Sequence, residues 1–150
     1  MITITDALTG VSRLGVDTAP LIYFIERHPD YVERVREVLR FIDRGSIIGY
    51  TSMITVTEVL IQPRRHGDRS MESIYRAFLF HSRYFIPVAI DAAVAERAAD
   101  LRARYPAIRT PDAIQLATAY QTGCEAFLTN DVKLQCVTEL RVILVRDLEP

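Results

Sequence analysis

Among the chain's nineteen acidic residues, four occupy positions where a carboxylate can do chemistry: Asp17, Glu58, Asp112 and Asp131. Asp17 closes the run "RLGVD". Asp131 follows "AFLTN", Glu58 stands early in "ITVTEVLIQP", and Asp112 opens "TPDAIQLATA". Their surroundings are apolar, with Val16, Val59, Leu60, Ile114 and Leu128 close by, and no Lys or Arg adjoins Asp17 or Glu58. A carboxylate in such surroundings needs a partner. Taken singly, each has an ordinary explanation. An Asp after a strand is commonly a turn residue, and Asp112 in a first helical turn is favoured by the helix dipole. Taken together, they can meet. Two carboxylates about 4 Å apart oppose each other by roughly 4 kcal/mol at an effective dielectric of about 20, and a divalent cation between them reverses the sign. Oxygen-only ligands favour Mg²⁺ or Mn²⁺ over Zn²⁺, and His28, His66 and His81 have no zinc spacing. The remaining acids behave differently: Glu26, Glu33, Glu37, Asp43, Glu96 and Asp100 lie within helical patterns beside arginines and read as solvated faces and ion pairs.

The elements around these acids predict how they are positioned. "RLGVD" reads as a strand running into the helix "APLIYFIERH". "DYVERVREVLRFIDRG" carries Val32, Val35, Leu39 and Ile42 at helical spacing, and Gly45 stops it. "SIIGYTS", "YFIPVAI", "EAFLTN" and "LRVILV" are strands of β-favouring residues. Between them lie the helices "ITVTEVLIQP", which Pro63 helps end, "MESIYRAFLFHSR" and "DAAVAERAADLRARY", and then "RTPDAIQLATAYQTG". In the last, Thr110 is the expected N-cap, Pro111 fits the first position and Gly123 ends the helix. "DVKLQCV" is a short helical turn and "RDLEP" a tail. Strands alternating with helices predict an α/β fold with a mostly parallel sheet, helices on both faces, and ligands beyond the carboxyl ends of the strands. Asp17 and Asp131 follow strands, and Glu58 and Asp112 begin helices, so all four can converge on that edge.

Composition bounds the rest. With 150 residues, 49% of them hydrophobic, the chain suits one domain over residues 1–150 with a substantial core. Its 18 basic and 19 acidic residues neither suggest nor exclude nucleic acid, because local patches matter more than the sum. Cys124 and Cys136 form no metal or redox motif. The opening "MITITDALTGVSRLG" lacks the pattern of a signal peptide, and no apolar run reaches membrane-span length. The expectation is a cytoplasmic protein with no membrane contact.

Four stretches together, "GVDTAPLIYFIE", "TSMITVTEVLIQPRR", "TPDAIQLATA" and "FLTNDVKL", resemble PIN-domain ribonucleases, most closely the VapC-type toxins of toxin–antitoxin pairs. The resemblance spans nearly the whole chain and implies a PIN-like three-layer α/β fold. It implies Mg²⁺- or Mn²⁺-dependent RNA cleavage at Asp17, Glu58, Asp112 and Asp131, both as metal ligands and as catalytic acids. Thr129 and Asn130 match the polar residues that orient ligands or water. The expected partners are an RNA substrate, a small antitoxin and a second copy in a homodimer. The chain departs from the family in having about a dozen residues before the first strand, and in placing Leu134 where an aromatic residue is frequent.

An acidic site needs a positive surround to admit RNA. "QPRRHGDRS" supplies Arg64, Arg65 and Arg69, and "RARYPAIRT" supplies Arg102, Arg104 and Arg109; each is also an ordinary surface charge when taken alone. Tyr23, Phe24, Tyr31 and Tyr84 read as core or interface residues rather than base-stacking platforms. "VERVREVLRF" and "ITVTEVLIQ" offer apolar rows to a partner helix. Two alternatives compete with the nuclease: a phosphoacceptor receiver using Asp17, Thr129 and Lys133, against which "VDTAP" offers one acid rather than a pair, and an inactive interaction module of the same fold.

Overall fold

The computed structural model describes residues 1–150. A five-stranded, all-parallel sheet forms its centre, built from β2 (Arg13–Val16), β3 (Ile48–Ser52), β4 (Phe85–Val88), β5 (Ala126–Thr129) and β6 (Arg141–Leu144), in the order β4-β3-β2-β5-β6. The central strands are apolar on both faces, as parallel strands covered on two sides must be. Leu14, Val16, Ala126 and Leu128 are fully buried. β4 lies at an edge and carries Pro87, which has no N–H to offer a further strand.

Helices cover both faces. The crossovers hold α2 (Thr18–Ile25) and α3 (Val32–Asp43), then α4 (Ile54–Arg65) and α5 (Arg69–His81), then α6 (Ala92–Arg104) and α7 (Thr110–Gln121). The two-residue alternation of β5 shows how the core divides. Ala126 and Leu128 join one apolar cluster with Leu21, Val35, Leu39 and Leu79. Phe127, between them, points to the other, with Leu101, Ile108, Ala113 and Leu116. Gly15 on β2 faces α7. A Cβ there would meet the Ala119 Cβ at 2.6 Å and Phe127 at 2.9 Å, so glycine is what lets α7 lie directly on the central strand.

The chain outside the sheet is more ordered than its sequence predicts. β1 (Ile2–Thr3) pairs in parallel with β7 (Leu148–Glu149), and a short helix, α1 (Ile4–Ala7), follows β1. Ile4, Leu8, Val11, Val145 and Leu148 all enter the first core cluster. "RDLEP" is therefore not a free tail; a two-residue strand has too little local pattern to be seen without its partner.

Three local expectations also change. Pro63 does not end its helix: it is buried in the last turn of α4, which continues to Arg65. Thr110 is not the N-cap of α7. Arg109 holds that position without a side-chain cap, because the Thr110 hydroxyl accepts from Arg102 Nη1 at 2.8 Å instead. The apolar row of α3 is not available to a partner: Val35, Val38, Leu39 and Ile42 are already buried inside this chain. Among the acids read as solvated faces and ion pairs, Glu33, Glu37 and Asp100 do pair with neighbouring arginines. Glu26 instead accepts a hydrogen bond from the buried Tyr75 hydroxyl. Tyr23, Phe24, Tyr31 and Tyr84 pack half-buried against the core. No helix is long and apolar enough to cross a membrane.

Candidate active site

The strand order reverses direction between β2 and β5: the chain builds outward through β3 and β4, then returns to the other side of β2. Ligand crevices in such sheets form at that switch, outside the carboxyl ends of the strands. Asp17 follows β2 and Asp131 follows β5, so the two acids flank it. A cavity of about 550 Å³ opens there, lined by Asp17, Glu58, Asp112 and Asp131 together with Arg65, Ile22 and Ile61.

Each acid is held by its own element. Asp17 is the N-cap of α2; its Oδ1 accepts from the Thr18 N–H at 2.9 Å, and its Oδ2 from the Thr129 hydroxyl at 2.8 Å. Thr129, fully buried, also accepts from the Asp131 N–H at 3.1 Å and so joins the Asp17 and Asp131 segments. Asp131 caps the short 3₁₀ turn Val132–Cys136, its Oδ1 accepting from the Lys133 N–H at 3.0 Å. Glu58 lies in the second turn of α4, and its Oε1 accepts from the Thr18 hydroxyl at 2.8 Å. Asp112 lies in the first turn of α7, where the nearest cation is the exposed Arg109, at 4.0 Å.

The electrostatics are those of crowded, poorly hydrated carboxylates. Loss of hydration pushes the Asp17 carboxyl up to about 6; the hydrogen bonds from Thr129 and Thr18 oppose this, and the charges of Asp112 and Glu58 reinforce it. Burial likewise raises Asp112, reinforced by Asp131 and Glu58 and opposed by Arg109 and Lys133. Asp17 thus has neutral donors and acidic neighbours but no basic side chain as a partner, a setting that a cation would relieve. The four acids form a loose ring: no three of them stand close enough together to chelate one ion without moving. Carboxylate oxygens around an open cavity fit a hard divalent cation that keeps part of its water, as Mg²⁺ does.

The supporting residues divide. Asn130 is turned away from the cavity. Its Oδ1 accepts from the backbone N–H and Nε of Arg146 at 3.0 and 3.2 Å, and its carbonyl accepts from Arg146 Nη2 at 2.9 Å. Of the arginines, Arg65 lines the cavity and Arg109 stands beside Asp112. Arg64 is paired with Glu72 at 3.0 Å, and Arg69 begins α5 with no contact to the acids. Arg102 braces the loop before α7 through the Ile108 carbonyl and the Thr110 hydroxyl, and Arg104 pairs with Glu139. Three residues near the acids are not among the nuclease residues read from the sequence, where Lys133 serves only the phosphoacceptor alternative. Lys133, the chain's single lysine, is signalled by its place two residues after Asp131. Thr18 directly follows Asp17. Gln115 lies one turn beyond Asp112.

Comparison with known proteins agrees with this fold. The family model described as PIN domain matches residues 15–140. No curated protein matches the sequence. Among solved structures, DNA-bound VapBC from Salmonella typhimurium superposes with a TM-score of 0.69 at 17% identity, covering 97% of this chain and 99% of that one. A toxin-antitoxin complex from Klebsiella pneumoniae gives 0.68 at 24% identity, covering 89% and 98%. VapC20 from Mycobacterium tuberculosis, described as a sarcin-ricin loop cleaving toxin, gives 0.63 at 18% identity, covering 87% and 99%. At these identities the likeness establishes the fold.

Proposed function

The chain belongs to the PIN domain family, and from that premise we propose that it is a Mg²⁺- or Mn²⁺-dependent endoribonuclease acting as the toxin of a toxin–antitoxin pair in the cytoplasm. The observation that carries the reading is Asp17: a carboxylate raised to about 6 by burial, facing other acids and lacking a basic partner. Asp17 and Asp112 are the main ligands in this reading, and Asp131 and Glu58 complete the set, Glu58 through water. A bound divalent cation supplies a lowered pKa for water and neutralises charge growing on the phosphoryl oxygens. The protein's own contributions follow from the hydrogen bonds. Thr129 and the Thr18 N–H fix both oxygens of Asp17. Glu58 has Oε1 committed to Thr18, which leaves Oε2 to take the proton from the attacking water. Arg65, Arg109 and Lys133 ring the acids and hold phosphates of the RNA.

The partner assignment rests on the names of the structural relatives, several of which are toxin-antitoxin complexes. A cavity of about 500 Å³ between α3 and α5, lined by Phe24, Phe78 and Tyr84, suits the apolar face of an antitoxin helix. It takes the place of the α3 row expected from sequence. Exposed Ile74, Phe80 and Ile86 offer apolar surface for the homodimer, which light scattering would read.

The test is cleavage of a folded RNA by the purified chain. Mg²⁺ or Mn²⁺ should give discrete internal cuts that EDTA stops. Asp17→Asn and Asp112→Asn should each reduce the rate by at least about 100-fold, the scale of losing a preorganised charge-stabilising group. Wild-type cleavage by both variants would place the chemistry elsewhere. An inert wild-type chain that still binds an antitoxin would mark an interaction module.

A further inference from the structure

Gln115, on α7, is 2% exposed, and its hydrogen bonds reach three other elements. Its Oε1 accepts from the Ser52 N–H at 3.1 Å. That bond sets the orientation of the amide, so Nε2 carries its two hydrogens the other way. They go to Thr55 Oγ1 at 2.7 Å and Thr18 Oγ1 at 3.1 Å. The hydroxyl directions then follow. Thr51 donates to the Val16 carbonyl at 2.8 Å, so it accepts from Thr55 at 2.7 Å. Thr18, already accepting from Gln115, gives its only hydrogen to Glu58 Oε1 at 2.8 Å. The 3.0 Å approach of Thr18 to Thr55 is a contact between two acceptors of one amide. No buried side-chain polar atom lacks a partner. The network reaches the acidic cavity through one link, the Thr18 hydroxyl on Glu58.

We propose that Gln115 is a positioning residue for the carboxylate site: it holds the Thr18 hydroxyl as a donor aimed at Glu58 and ties α7, which carries Asp112, to the elements that carry Asp17 and Glu58. A fold role alone does not call for this chemistry. Apolar groups of the same shape can replace a fully paired buried network at little cost, whereas an acid that must keep one oxygen engaged and the other free needs a fixed donor. Partners of this kind behind metal ligands typically change metal affinity or activity by about 10–100-fold when removed. The inference rests on the nuclease reading of the pocket.

The experiment compares Gln115→Met, Thr18→Val, Thr18→Ser and the double variant Gln115→Met/Thr18→Val with wild type. Mn²⁺ binding is measured by calorimetry without RNA, cleavage by kcat and KM, and folding by circular dichroism melts. Gln115→Met and Thr18→Val should each weaken Mn²⁺ binding and lower kcat by about tenfold, with KM for RNA unchanged. Thr18→Ser should stay near wild type, and the double variant should be no worse than Gln115→Met, because the Thr18 bond to Glu58 is already lost in its effect there. A folded Gln115→Met that binds Mn²⁺ and turns over within about twofold of wild type, a small change beside the tenfold loss expected, overturns the proposal and leaves the nuclease reading standing. If Gln115→Met does not fold, the Thr18 pair decides: loss in Val with retention in Ser supports the proposal, and equal behaviour of the two overturns it. A wild-type chain that neither binds Mn²⁺ nor cleaves RNA defeats the nuclease reading and the proposal together.

Discussion

Asp17 shows what a carboxylate costs when it is buried among acids without a basic partner. Its folded proton affinity, about 6, lies above the ordinary 3.8, so the folded chain holds this proton more tightly than the unfolded chain does. The stability it contributes is fully present below about pH 4 and is lost as pH rises through about 6. At neutral pH, keeping Asp17 charged in the metal-free fold costs up to about 3 kcal/mol at roughly 1.4 kcal/mol per pH unit. Asp17→Asn should therefore gain stability over wild type as pH is raised from 4 to 7 in EDTA, by as much as that amount. Urea titrations of both proteins across this range check it; a constant difference would mean that Asp17 has an ordinary proton affinity. The sequence carried part of this story. A charge at the end of "LGVD" had to emerge at the strand edge, but the Thr129 hydroxyl that fixes it lies 112 positions away and gives no local signal.

At the scale of elements, α7 is the piece that most needs exact seating, since it carries both Asp112 and Gln115. Gly15 permits that seating, because the Ala119 Cβ occupies the space a side chain would need. Gly15→Ala should cost about 1–3 kcal/mol, as overpacking does, and should displace α7 from β2. The rate of RNA cleavage should fall further than the stability loss alone explains; full activity in a folded Gly15→Ala would show that α7 tolerates the shift. The strands and most helices were legible from alternating short apolar runs and helical periodicity, and the four acids could be placed at one edge from that order alone. What escaped were choices made by competition. Thr110 has a good capping side chain but gives its oxygen to Arg102. Pro63 stays in the last turn of α4 although it has no N–H to give the Val59 carbonyl, and it is buried there, an outcome its local sequence does not show. The row on α3 was visible as apolar but not as already occupied, because burial by one's own chain or by a partner gives the same pattern.

The whole molecule is closed by its two terminal segments, which sequence reading left as an uncertain extension and a tail. β1 and β7 pair, and Leu148 is 1% exposed. Leu148→Ala should thus cost about 2–5 kcal/mol, the range for a buried leucine, read by chemical denaturation. A loss below about 0.5 kcal/mol, typical of a surface position, would return the segment to a loose tail. In the proposed reading, four elements bring four carboxylates together for a cation rather than for the fold. Thermal melts of wild type and Asp112→Asn, in EDTA and in excess Mn²⁺, test it most directly. Without metal, removing one crowded charge should leave the variant at least as stable as wild type, because burial and the neighbouring acids disfavour the charged Asp112. Mn²⁺ at about a hundredfold excess over its Kd should raise the wild-type Tm by roughly 5–10 °C and the variant far less. A variant that is markedly less stable in EDTA, with both proteins responding equally to Mn²⁺, would contradict the account and make Asp112 a helix-start residue.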